Sequence, residues 1–201
     1  MWLLVGLGNP GPKYEGTRHN VGFRVIDALV TRCQASPLRA KLGAQIGEAT
    51  IGKERALLCK PMEFMNTSGQ AVVRVAQFWK IDPAQTVVVY DELDLPFGRL
   101  KLAAGGGHGG HNGVRSMIAE WGTSDFARVR VGISRPASPE HSPTDYLLSD
   151  FSGAERKQLP DLFSRAAEAM ETIVTAGVAV AMNRFNGKAG TAPGEGPPSR
   201  S

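Results

Sequence analysis

The amino-acid sequence predicts an α/β fold: one domain with a twisted, mixed, mostly parallel β-sheet flanked by helices on both faces. Three observations carry this. Trp2–Leu7 and Thr86–Tyr90 are short apolar runs without alternation, the pattern of central strands buried on both sides. Segments with helical spacing fall between the strand-like runs, which favours layered α/β packing. Each apolar run also ends in a polar loop, where a rigid scaffold presents reactive groups.

The elements follow in chain order. The loop after Trp2–Leu7 holds Asn9, Tyr14, Arg18, His19 and Asn20. Within it Gly6, Gly8 and Gly11 match the dinucleotide pattern G-x-G-x-x-G, but Pro10 and Pro12 flank Gly11. Proline removes amide donors and biases the preceding residue towards extended backbone, so no helix opens at Gly11 to receive a pyrophosphate. No dinucleotide cofactor is therefore expected. Asn20 is expected to cap a helix over 21–34, where Val21, Val25, Ala28, Leu29 and Cys33 recur at helical spacing.

Residues 44–60 carry two apolar-rich runs around Gly52 and Lys53, a β-hairpin that Pro61 ends. The loop 62–68 leads to a helix over 69–80 with Val72, Val75, Ala76 and Trp79 as its stripe. Thr86–Tyr90 then delivers Asp91 and Asp94 into a loop, and a strand near 99–103 follows. Five glycines between Gly105 and Gly110 imply unusual backbone angles or close approach of a ligand, ahead of a helix over 114–121.

Residues 127–134 alternate, with Val129, Val131 and Ile133 on one side and Arg128 and Arg130 on the other, which predicts a half-solvated strand. Residues 135–145 hold three prolines and read as a loop. Ser152 and Glu155 form a capping-box pattern that opens a short helix, which Pro160 is expected to interrupt before a longer helix over 161–182. From Gly187 glycine and proline dominate, so a domain over 1–186 and a flexible tail over 187–201 are expected.

The chain has 201 residues, 42% hydrophobic and 21% charged, and a net charge of +4, the profile of one globular domain. No apolar run approaches the ~20 residues that span a bilayer, and no signal-peptide pattern opens the chain, so a cytoplasmic location without membrane attachment is expected. Cys33 and Cys59 lack ligand-like spacing and read as reduced, buried thiols. The modest positive charge bears on function only if it gathers on one face, where a polyanion would feel it.

Three polar loops can converge at the strand ends: Asn9, Tyr14 and His19; Phe64 and Asn66; Asp91, His111 and Asn112. A histidine held by a carboxylate suits general-base activation of water, and asparagine amides suit an ester or peptide group and its developing oxyanion. Bland alternatives exist for each. Asp91 and Asp94 also suit turn chemistry, and His108 with His111 lacks the thiol or carboxylate partners of a metal site, so no metal is expected.

Five motifs together carry a resemblance: Val5–Gly11 (VGLGNPG), Thr17–Gly22 (TRHNVG), Lys60–Gly69 (KPMEFMNTSG), Asp91–Pro96 (DELDLP) and Gly105–Gly113 (GGGHGGHNG). The chain resembles bacterial peptidyl-tRNA hydrolases of the monomeric, metal-independent type. That resemblance implies cleavage of the ester between a peptide and the terminal ribose of tRNA, with His19 as proton acceptor and Asp91 keeping it basic. It implies that Asn9 discriminates blocked from free aminoacyl groups. Tyr14, Phe64, Asn66 and Asn112 would contact the aminoacyl end, with His111 nearby. It further implies a monomer with tRNA as partner and no cofactor.

Departures from the family pattern are few: Tyr90 stands before Asp91, Glu63 replaces a common threonine, and Arg135 follows Gly-Ile-Ser. The family's basic clamp for the tRNA phosphate maps onto Lys101 and Arg130, while its third position is Ala103, so phosphate binding is expected either to be weaker or to recruit Arg99 or Arg128. A nucleotide-cofactor enzyme and a non-catalytic RNA-binding domain stand as the other classes. Saturable dinucleotide binding would mark the first, and tRNA binding without ester cleavage the second.

Overall fold

A computed structural model describes residues 1–187. The expected tail over 187–201 thus lies outside the described residues apart from Gly187. One seven-stranded sheet runs in the order β2-β3-β4-β1-β5-β7-β6. Its strands are β1 (Trp2–Gly6), β2 (Arg39–Lys41), β3 (Ala44–Ile51), β4 (Glu54–Pro61), β5 (Thr86–Glu92), β6 (Leu100–Ala103) and β7 (Ala127–Gly132). The central strands β4, β1, β5 and β7 are parallel, and β2, β3 and β6 add antiparallel at the two sides.

The unbroken apolar runs explain the centre. Leu3, Leu4 and Val5 of β1 and Val87, Val88 and Val89 of β5 are fully buried, and alternate residues feed two separate cores. Leu4, Val87 and Val89 pack with Val25, Ile26 and Leu29 of α1 (Val21–Arg32) and with Phe163, Ala166 and Met170 of α5 (Gly153–Ala176). On the opposite face Leu3, Val5 and Val88 meet Val72 and Val75 of α2 (Ser68–Trp79) and Val114 and Met117 of α3 (Asn112–Trp121). Helices therefore cover both faces, as the alternation of elements predicts. Two further helices, α4 (Pro143–Leu147) and α6 (Val178–Phe185), flank these layers.

The order also places the site. From β1 the chain crosses one face through α1, reaching β4, then crosses the other face through α2 to β5. From β5 the chain continues through β6 and α3, on the α2 side, so the connections leaving neighbouring β1 and β5 diverge to opposite faces and open a crevice at their carboxyl ends.

Several expectations are corrected. Strand β7 is buried on both sides rather than half-solvated, because Arg128 is 0% exposed and only Arg130 is partly open. Pro160 does not interrupt α5, which runs unbroken from Gly153. Its missing hydrogen bond costs about 3 kcal/mol, and burial of Leu159, Leu162, Phe163 and Ala166 around it outweighs that at ~1.5–3 kcal/mol per large apolar side chain. The break falls at Gly177 instead, whose φ of 91° divides α5 from α6. The proline-rich segment contains α4, capped by Ser142, and β2 has no counterpart in the sequence reading.

Beyond α6, Asn186 lies against β6. Its side chain accepts from the Leu102 N–H (2.7 Å) and donates to the Leu102 carbonyl (3.0 Å). Both thiols are free, and burial pushes Cys59 up to about 12. None of the described helices is long and apolar enough to cross a membrane.

Candidate active site

The loop after β1 is held close to the sheet by two glycines. A Cβ on Gly22 would meet the Leu7 backbone at 2.4 Å, and one on Gly6 would meet the Gly22 carbonyl at 2.1 Å. Helix α1 can therefore sit directly on β1, and the 3-10 turn Arg18–Asn20 that precedes it is forced inward. His19 is buried there at 7% exposure.

Asn20 occupies the cap position of α1, but its side chain makes no capping bond. It brackets the Asn9 backbone instead: its Oδ1 accepts from Asn9 N–H and its Nδ2 donates to the Asn9 carbonyl, both at 2.9 Å. Asn9 in turn accepts from the Met65 N–H through Oδ1 at 2.7 Å. The backbone donor fixes the orientation of that amide, so the Asn9 Nδ2 is left as a donor with no partner among the described residues.

Asp91 lies within β5, paired with Val131 of β7, rather than in the loop beyond it. It is 3% exposed and accepts from two imidazoles. His19 Nδ1 contacts both carboxylate oxygens at 2.9 and 3.0 Å, and His111 Nε2 contacts Oδ1 at 2.9 Å. The Val114 N–H donates to His111 Nδ1 at 3.4 Å, which puts the ring proton of His111 on Nε2, facing Asp91. The His111 ring also lies 4.8 Å from Tyr90 and 5.1 Å from His19.

Electrostatics follow from this geometry. Burial acts to lower the His19 pKa, but the charge and hydrogen bond of Asp91 outweigh it and leave the group above its ordinary 6.5. Burial acts to raise Asp91, yet the two histidines hold it well below the usual carboxylate range. With Nδ1 committed to the carboxylate, His19 keeps Nε2 for a reaction partner.

His19, Asp91 and His111 also make up the one metal-capable group found among the described residues. They could hold a divalent ion only by giving up the protons that now join them. His108 takes no part, since its Nδ1 accepts from the Gly110 N–H.

A cleft of about 220 Å³ opens onto His19, Asp91, Asp94, His111, Asn112 and Leu147. Asn112 is the first residue of α3, with its Oδ1 bound to Arg115. Tyr14 and Phe64 meet edge to face at 6.5 Å, and Phe64 is 58% exposed. Asn66 is exposed in the turn Met65–Thr67, beside the Met65 amide that Asn9 holds. Asn9 and Asn20 line a second, larger cleft of about 640 Å³, which extends towards Phe23, Lys60 and Met62.

Lys101 and Arg130 are register partners on β6 and β7, Lys101 exposed and Arg130 half-buried. Arg128, one of the two arginines named as recruits to the clamp, is instead sealed inside with its guanidinium on the carbonyls of Gly106, Gly107 and Ser124.

Sequence reasoning named Arg18 as a loop residue but missed its role. Arg18 stacks under Tyr146 (4.3 Å) and donates to Ser149 Oγ (2.7 Å) and Glu155 (2.8 Å), so it ties α4, which lines the cleft, to the residue beside His19. Its hydrogen-bond partners Ser149 and Glu155 lie 131 and 137 residues away, a distance that local pattern does not span.

This arrangement has counterparts. A family model described as peptidyl-tRNA hydrolase matches residues 3–193. The chain belongs to the peptidyl-tRNA hydrolase family. It is 50% identical over 188 residues to a peptidyl-tRNA hydrolase of Leifsonia xyli subsp. xyli, covering 92% of this chain and 97% of that one. It is 48% identical over 185 residues to a peptidyl-tRNA hydrolase of Frankia alni, covering 92% and 93%. A crystal structure of peptidyl-tRNA hydrolase from Acinetobacter baumannii superposes with a TM-score of 0.85 at 34% identity, over 92% of this chain and 94% of that one. Membership in the peptidyl-tRNA hydrolase family thus extends over the whole sheet and its covering helices.

Proposed function

We propose that this enzyme hydrolyses the ester joining a peptide to tRNA, and that residues 1–186 form the catalytic domain, working as a monomer in the cytoplasm. The contact between His19 Nδ1 and Asp91 carries the reading. Asp91 holds the ring so that Nε2 takes a proton from water as the water oxygen attacks the ester carbonyl. The tetrahedral intermediate then collapses, the carbon–oxygen bond to the ribose breaks, and the leaving oxygen recovers the proton from His19. No metal is needed for this sequence.

Asn9 supports the reading through its oriented, unpartnered amide N–H₂, a donor suited to the acyl carbonyl of an N-blocked aminoacyl group. Asn66, Asn112, Tyr14, Phe64 and His111 complete the contacts to the aminoacyl end. Lys101 and Arg130 receive tRNA phosphate.

The test is release of peptide from N-blocked aminoacyl-tRNA. His19→Ala should lower turnover by about 10²–10⁴-fold while tRNA binding persists. Near-wild-type turnover in a folded variant would overturn the assignment.

A further inference from the structure

Among the described residues Arg128 is the largest fully buried side chain, and no carboxylate of those residues lies within 4.0 Å of it. A buried cation is costly to keep unless something needs it. Its hydrogen bonds all go to backbone carbonyls, those of Gly106, Gly107 and Ser124, while its guanidinium stacks 4.6 Å over the Phe126 ring.

The two glycine carbonyls belong to a loop that has little else to hold it. Gly106, Gly109 and Gly110 all have positive φ, and a Cβ on Gly107, Gly109 or Gly110 would meet nothing within 4 Å. Among the described residues, the hydrogen bonds that fasten Gly106–Gly110 to the body of the protein are those from Arg128; the others stay within the loop or pass to His111.

From there a chain of contacts leads to the proposed base. The His108 carbonyl accepts from the His111 N–H at 2.9 Å, His111 Nε2 donates to Asp91 at 2.9 Å, and Asp91 holds His19. A planar guanidinium pins successive carbonyls at once through donors fixed in one plane; an apolar side chain cannot do so, and a lysine ammonium offers donors without that fixed geometry.

We propose that Arg128 is a positioning residue: by clamping the Gly106 and Gly107 carbonyls it sets the glycine-rich loop so that His111 meets Asp91. The inference rests on the proposed hydrolysis only for its kinetic consequence. It deepens the account of that site by giving the loop a fixed anchor on β7.

The test combines Arg128→Met, Arg128→Lys, His111→Ala and the double variant Arg128→Met with His111→Ala. Folding is checked by circular dichroism and thermal melting. Displacing a reacting constellation by about 1 Å can cost ~10²-fold, so Arg128→Met should lower kcat by up to that factor with KM nearly unchanged. The double variant should lose no more than His111→Ala alone, because both act through one contact. Losses that multiply, or a change confined to KM, would overturn the proposal.

A second readout needs no substrate. Nitrogen-15 shifts of the His111 ring should report one fixed tautomer, protonated on Nε2, in the parent protein and a tautomer mixture in Arg128→Met. An unchanged ring signature in the variant would also overturn it. Should Arg128→Met fail to fold, Arg128→Lys carries the same measurements, with an intermediate effect expected and wild-type values on both readouts counting against the proposal. Absence of hydrolysis by the parent chain would strike the proposed function and leave the tautomer result standing.

Discussion

Asn20 holds the backbone of Asn9 between its own amide oxygen and nitrogen, at 2.9 Å on each side, and so spends on the preceding loop the side chain that would otherwise cap α1. Asn20→Ala should leave the buried Asn9 N–H unpaired, at about 1–3 kcal/mol of stability. Because Asn9 is the proposed acyl contact, KM for N-blocked aminoacyl-tRNA should rise along with the fall in melting temperature. Asn20→Asp keeps the acceptor and loses the donor, and should fall between the two. Thermal melts read beside steady-state kinetics check this.

The pH dependence of turnover follows from His19 and Asp91. A base must be neutral to act, and Asp91 holds His19 above 6.5, so the acid limb of kcat/KM should lie above that value. Asp91→Asn removes the opposing charge and leaves burial, which favours the neutral ring, in command. The limb should therefore move to lower pH while the plateau falls, because the ring is no longer oriented. A limb that moves upward in a pH–rate profile would contradict the assignment.

Contacts to tRNA phosphate should appear in the salt dependence. Lys101→Ala and Arg130→Ala should each flatten the slope of log affinity against log salt by about 0.7–0.9. Cleavage of a minimal substrate lacking the tRNA body should be spared. Ala103→Lys has a structural complication, since Ala103 is the register partner of the buried Arg128. A lysine there should steepen the salt slope and tighten tRNA binding, with a lower melting temperature from like charges placed opposite each other. Filter binding across salt concentrations and a thermal melt measure the two effects separately.

Gly22→Ala should destabilise the fold although alanine is the better helix former. The gain of about 1 kcal/mol from propensity is set against a Cβ 2.4 Å from the Leu7 backbone and 2.5 Å from the Val89 carbonyl. Those are backbone atoms of β5 and of the residue that follows β1, so α1 must move away, at ~1–3 kcal/mol or more. His19, two residues before the start of α1, should shift with it, and kcat should fall in parallel with the midpoint of urea unfolding.

Much of this was legible because it is local. The runs in β1 and β5 are apolar without alternation, and Asn9, His19 and Asp91 follow or end the strands that such runs announce. What was hidden depends on partners distant in sequence. Alternation put Arg128 on a solvated face, since periodicity carries no information about carbonyls waiting 21 and 22 residues earlier. Asn20 has a cap residue's sequence position, but Asn9 lies close enough to claim it. Strand β2 comprises three exposed residues, Arg39, Ala40 and Lys41, with no apolar pattern to mark it. Pro160 looks like a breaker until the buried residues on both sides of it are known.

The bond between Asn186 and Leu102 has a consequence for self-association. Strand β6 is the last in the sheet, and an open row of backbone donors and acceptors there would invite another molecule to add its own strand. The Asn186 amide occupies one donor and one acceptor in the middle of that row, as a neighbouring strand would, but it is a side chain and offers nothing for a further strand to continue. At the other margin β2 is short and carries Arg39 and Lys41, whose charges repel an identical partner. The sheet thus ends at one side in an amide plug and at the other in positive charge, two different barriers to the same runaway polymerisation.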